Sequence, residues 1–168
     1  MLALKNIPNV KNVKDCENGK LIFKNDAIYR GGFKLNRFNG LGSFSYPERL
    51  SCTDENDNFA GCSIEGNWLI DQLHGDQGNI VSFKNFDRYE GGYFFGLRHG
   101  MFVEFYNEVS FTGSYEYGVR KGRGEMIKDD GAKILGTYFN NKLFGPVVFL
   151  SDDNLIYSIC GCGFGYGQ

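Results

Sequence analysis

A pair of glycines, nine residues apart, recurs five times along this chain. The first members are Gly31, Gly66, Gly91, Gly113 and Gly136; the second are Gly40, Gly75, Gly100, Gly122 and Gly145. A motif repeated in phase at this scale marks a repeat array, in which each unit buries its apolar face only by stacking on its neighbours. The chain is therefore limited to copies of one small unit. The repeat also gives a structural reason for residues that would otherwise look catalytic.

The columns around the first glycine define that unit. Two residues before it stand Tyr29, Ile64, Tyr89, Phe111 and Ile134, and two after it stand Phe33, Trp68, Tyr93, Tyr115 and Tyr138. Apolar, glycine, aromatic at a spacing of two is strand periodicity, which puts all three on one face of a sheet. Glycine weakens a strand, but a large ring on the neighbouring strand can lie over the bare backbone and restore the packing. Five residues after the first glycine come Asn36, Asp71, Gly96, Gly118 and Asn141. These types tolerate positive φ, so the column is a turn. The second strand is expected after the second glycine, as in Met101 to Tyr106 and Glu125 to Lys128. Each unit is predicted to be a β-hairpin with a loop of several residues, and the units to join into an antiparallel meander.

The intervals between units are 35, 25, 22 and 23 residues. The long first interval holds a polar insertion near 51–62, read as a surface loop. In the second unit Gly78 falls one place late, which predicts a bulge.

These columns resemble the MORN repeat family, whose pattern is Tyr-x-Gly-x-Trp/Tyr, a polar turn, then His-Gly-x-Gly. The matching residues are Tyr29, Gly31 and Phe33 with Gly40 and Gly42; Tyr89, Gly91 and Tyr93 with His99 and Gly100; Phe111, Gly113 and Tyr115 with Gly122 and Gly124; and Gly66 and Trp68 with His74 and Gly75. In the fifth copy Val147 replaces the closing glycine. The resemblance covers roughly 29–150 and implies an all-β, elongated, twisted antiparallel meander of stacked β-hairpin repeats. Residues 1–28 are read as a worn capping hairpin, and 151–168 as a C-terminal half-repeat with a Gly-rich tail. Worn ends are expected where terminal repeats shield a sheet edge.

Composition narrows the function classes. The net charge of −2 argues against a dedicated nucleic-acid binder. No apolar run approaches membrane-spanning length, and the N-terminal residues lack the long apolar core of a secretory signal. Five cysteines without a disulfide framework fit a reducing compartment, and a cytoplasmic location is expected.

The only histidines, His74 and His99, occupy one column of two repeats, so a hairpin-loop role accounts for both. Catalysis would require a nucleophile or carboxylate beside them, and the repeat supplies none; no enzyme activity, cofactor or metal is expected. Cys160 and Cys162 form at most half of a zinc site, with lipid attachment an alternative. Asp54, Asn56, Asn58 and Glu65 mimic calcium-loop ligands, but Phe59 stands where that loop turns on glycine.

The functional expectation is a non-enzymatic interaction or scaffold module. Its concave aromatic face would hold a partner protein, as a helix or extended segment, through Phe33, Trp68, Tyr93, Tyr115 and Tyr138. The competing reading consumes those rings in stacking inside the sheet. A second hypothesis is a membrane-surface adaptor. Arg37, Arg98, Arg120, Lys121, Arg123 and Lys142 would line the hairpin loops as a broken basic ridge, each worth about 1 kcal/mol near anionic lipid. An open terminal strand edge would also allow self-association. The family resemblance implies scaffolding at cytoskeleton and membrane junctions, or an assembly or virion component if the source is viral; nothing here resembles the catalytic domains such repeats accompany elsewhere.

Overall fold

A computed structural model describes residues 12–48, 61–84, 87–151 and 156–161, with only the backbone at 157–161. The insertion's polar run, the calcium-like Asp54, Asn56 and Asn58, and the Gly-rich tail with Cys162 lie outside the described residues, as does the side chain of Cys160. The strands are β1 (Cys16–Ile22), β2 (Ile28–Lys34), β3 (Arg37–Ser45), β4 (Ser63–Leu69), β5 (Gln72–Leu73), β6 (Gly75–Ser82), β7 (Arg88–Phe94), β8 (Leu97–Tyr106), β9 (Val109–Glu116), β10 (Val119–Ile127), β11 (Lys133–Phe139), β12 (Lys142–Leu150) and β13 (Ile156–Gly161). They form one open antiparallel sheet in chain order, with the short β5 paired to β4 off the main path. The all-β meander read from the glycine repeat is what the chain adopts.

The register explains how a single layer makes a core. Gly19 faces Gly31, Gly31 faces Gly42, and Gly42 faces Gly66. Further along, Gly113 faces Gly124, which faces Gly136. The glycines thus form a bare row across the strands, interrupted by Asn79, Phe102 and Val147. Rings lie over it. A Cβ at Gly42 would meet the Tyr29 ring, and one at Gly124 would meet Phe111 at 2.7 Å and Tyr138 at 3.0 Å. Tyr29 stacks on Phe38 with centroids 3.7 Å apart and planes 9° from parallel. Burial on this face supplies most of the stabilisation, since a sheet needs one covered face to stand alone.

The hairpin loops are shorter than the sequence suggested. Lys34 pairs with Arg37, Leu69 with Gln72, Phe94 with Leu97, Glu116 with Val119, and Phe139 with Lys142, so each tip has two residues. Both tip residues have positive φ, from 45° at Phe95 to 88° at Gly118, the conformation of a type I′ turn. Such a turn matches the right-handed strand twist, which a longer loop need not do. The second glycine therefore sits within the second strand, where the register slips: Arg120 faces Tyr115 but Gly124 faces Gly113. At Gly122 φ is 99°, which a bulge demands and a side chain resists. The bulge expected near Gly78 is present, between Gly75 and Asn79. Asn79 fills it: Nδ2 donates to the carbonyls of Gly75 and Gly91, and Oδ1 accepts from Asn67 N–H.

Successive tips latch onto one another along one margin. The N–H groups of Asp71, Gly96, Gly118 and Asn141 donate to the carbonyls of Phe38, Leu73, Arg98 and Arg120 in the preceding unit. Where the second tip residue is Asp or Asn, its side chain accepts a return bond, from Phe38 N–H to Asp71 (2.7 Å) and from Arg120 N–H to Asn141 (2.8 Å). Gly96 and Gly118 have no side chain to do this. There the preceding unit supplies a histidine instead. His74 Nδ1 accepts from Phe95 N–H at 3.4 Å, and His99 Nδ1 accepts from Tyr117 N–H at 3.5 Å. The two histidines fall where the next tip is glycine.

This compensation is testable. A Cβ at Gly118 would lie 3.7 Å from Leu97, ordinary contact. The φ of Gly118, 88°, exceeds the 59–66° of Asn36, Asp71 and Asn141, so strain rather than space opposes a side chain, and Gly118→Asn is expected to destabilise by about 1 kcal/mol. His99→Ala is expected to cost about 0.5–1.5 kcal/mol, because it removes the acceptor of the Tyr117 N–H. Urea midpoints of the parent and the two variants check both.

Candidate interaction surface

The five rings assigned to a partner are placed in the interior. Phe33, Trp68, Tyr93, Tyr115 and Tyr138 are each 5% exposed or less. Trp68 packs edge-on against Tyr29 and Phe38, and its Nε1–H donates to the Gly42 carbonyl at 3.0 Å. Tyr138 meets Phe111 at 5.2 Å, and Tyr115 meets Phe102 at 5.3 Å. In the isolated chain these rings cover glycine backbone and leave almost no area for a partner.

Burial also sets their ionisation. It pushes the phenols of Tyr29, Tyr93 and Tyr115 well above their ordinary value, aided at Tyr115 by the hydrogen bond to Glu104. The folded state holds these phenols protonated while the unfolded chain ionises them near pH 10. Stability is therefore complete below that pH and falls as pH rises toward the folded values. Urea midpoints are expected to hold steady up to about pH 9 and drop above about pH 10.

The basic ridge is partly neutralised. Because the tips are short, Arg98 and Arg120 are strand residues opposite Tyr93 and Tyr115, on the ring face. Both hold one buried carboxylate, Glu104. Arg120 Nη2 donates to Glu104 Oε2 at 2.6 Å, Arg98 Nη1 donates to Oε1, and Tyr115 OH donates to Oε1 at 2.6 Å. Arg120 Nε also donates to Tyr115 OH, and its guanidinium lies 4.0 Å from the Phe111 centroid. Desolvation alone would lower Arg120's pKa; its bonds to Tyr106 and Glu104 outweigh that and raise it. Arg37 pairs with Asp71 at 2.6 Å, and Lys121 pairs with Glu116. Arg123 and Lys142 are exposed, and no ion pair among the described residues involves them. Glu104 and Asn79 were not singled out from sequence.

Large apolar residues are exposed beside the basic ones at the tips. The first tip residues are Leu35, Ile70, Phe95 and Tyr117, which are 77%, 55%, 44% and 56% exposed. Around the third and fourth tips the rings form a continuous exposed cluster. His74 contacts Phe95 (4.7 Å) and Phe94 (5.3 Å), and Phe94 contacts Phe95, His99 and Tyr117. His99 lies 5.0 Å from Tyr117. A second apolar set, Phe139, Phe144, Val148 and Ile156, is exposed on the last three strands. Among the described residues no helix is long and apolar enough to cross a membrane, and no three His, Cys, Asp or Glu side chains converge.

No family model matches the chain, and no curated protein matches it.

Proposed function

We propose that the chain is a non-enzymatic MORN-type repeat module that holds a partner protein within a cytoplasmic or membrane-associated assembly. The observation that carries the reading is the exposed apolar area beyond a core that is already filled: Phe95, Tyr117, Phe139 and Phe144 are large, exposed and in ring contact with neighbours. Exposed apolar patches of this kind mark interaction sites, and aromatic side chains are frequent anchors. The partner would dock on the tips or the outer face, with the buried rings setting the shape beneath. The carboxylates of Asp71, Glu104 and Glu116 cancel about half of the six positive charges assigned to the ridge, which weakens its field for anionic lipid.

The test is affinity capture of the tagged full-length chain from its native cells, with mass spectrometry after a high-salt wash. One stoichiometric protein supports the module. Loss of everything at high salt, with anionic lipid recovered at low salt, replaces it with the membrane-surface reading.

A further inference from the structure

The tip residues conflict with the turns they occupy. A type I′ turn favours Asn or Gly at its first position, and a bulky residue at positive φ is disfavoured. Yet Phe95 has φ 45° and Tyr117 has φ 48°, each directly before a glycine. Asparagine at either position would give the favoured Asn-Gly turn. Leu35 and Ile70 carry the same strain at φ 52°, so what sets the third and fourth tips apart is their exposed aromatic rings.

The surroundings define what these rings would meet. Phe95 and Tyr117 stand on adjacent hairpin tips, with Phe94 between them and a histidine beside each. A neutral imidazole that accepts at Nδ1 carries its proton on Nε2. His74 and His99 both accept at Nδ1, so each presents an N–H donor on the far side of its ring. The site therefore repeats one exposed ring and one donor per hairpin. Lys121 pairs with Glu116, while Arg98 and Arg120 share Glu104, so the surround keeps one excess positive charge, which disfavours a basic segment. Two strand spacings of about 4.8 Å put successive hairpins roughly 9.6 Å apart. A polyproline II segment turns once in three residues, about 9.3 Å, and leaves its carbonyls unsatisfied. One turn of such a segment fits one hairpin, with a proline against each ring and a carbonyl on each imidazole.

Resting on the interaction-module reading, we infer that the tips of the third and fourth hairpins form a docking platform for an uncharged proline-rich segment of a partner protein, built by Phe94, Phe95 and Tyr117 with His74 and His99 as donors. Aromatic grooves receive such segments because the ligand is already extended and loses little entropy on binding.

The test uses the full-length chain and a fluorescent peptide of about 12 residues with proline at every third position, beside a shuffled peptide of the same composition. Fluorescence anisotropy is expected to give saturable binding to the periodic peptide and at least about tenfold weaker binding to the shuffled one. The double variant Phe95→Asn, Tyr117→Asn is expected to lose at least about tenfold in affinity while its urea midpoint stays level or rises, because Asn-Gly turns replace strained ones. Equal affinity of parent and variant, or no saturable binding by the parent, overturns the platform. Repeating the cellular capture with the variant separates the two ideas. A stoichiometric partner kept by both proteins overturns the tip site and leaves the module standing, whereas a partner lost by the variant and displaced from the parent by the periodic peptide but not by the shuffled one supports both.

Discussion

Glu104→Ala is expected to destabilise the fold by about 3–5 kcal/mol, a large part of a typical domain's stability. The carboxylate is buried on the ring face and accepts from Arg98, Arg120 and Tyr115 at once. Removing it leaves Arg120 partly buried among Phe111, Tyr106 and Tyr138 with its counter-charge gone. A buried charge without a partner costs more than the pair contributed, so the loss exceeds that of an ordinary hydrogen bond. Glu104→Gln keeps the volume and one acceptor and should cost less. The triple variant Glu104→Leu, Arg98→Met, Arg120→Met should recover most of the loss, because an apolar replacement of the whole group carries no unpaired charge. Urea denaturation of the three proteins measures this. A cost below about 1 kcal/mol for Glu104→Ala would mean that the cluster is solvated.

The strand face was legible in the sequence because spacing of two survives wherever both neighbours are strands: Tyr29, Gly31 and Phe33 share a face in the structure as counted. The turn column was legible for a similar reason, since Asn36, Asp71 and Asn141 are side chains that tolerate positive φ. Loop length was not legible. Glycine serves a turn and a bulge equally well, so Gly100 and Gly122 read as loop residues when they are bulges inside a strand. That error moved Arg98 and Arg120 from the ring face to a solvent margin and created the basic ridge. The signal for their true place was present. Thirteen residues after the first glycine stand Phe44, Asn79, Glu104, Met126 and Phe149, so an otherwise apolar column holds both of the buried polar side chains among the described residues, and Glu104 is its one carboxylate. A lone acid there implies a cation opposite. The apolar tips were hidden because a turn is expected to be polar, and only the two-residue register shows that Leu35, Ile70, Phe95 and Tyr117 occupy its first position. The histidines were expected in hairpin loops, but the short tips put His99 within β8 and His74 between β5 and β6; their pairing with glycine tips needed the contact between adjacent units.

Trp68→Ala is expected to cost about 3–5 kcal/mol, and this result decides between the two roles weighed for the aromatic column. Its indole lies against Tyr29 and Phe38 at 5.7 Å and 5.6 Å, on the stretch where Gly42 faces Gly66 and neither residue has a side chain to fill space. Truncation opens a cavity that the flanking rings cannot fill without leaving their own stacking partners, and it orphans the Gly42 carbonyl that Nε1–H satisfied. Trp68→Phe keeps most of the area, loses the hydrogen bond, and should cost only about 1–2 kcal/mol. A ring held ready for a partner would behave otherwise, because free surface gives up no core when truncated. In that case Trp68→Ala would leave the urea midpoint near the parent and abolish capture of the cellular partner. A large fall in midpoint for Trp68→Ala, set against a level or raised midpoint for Tyr117→Asn, would place the fold's aromatic investment in the glycine row and the interaction surface at the tips.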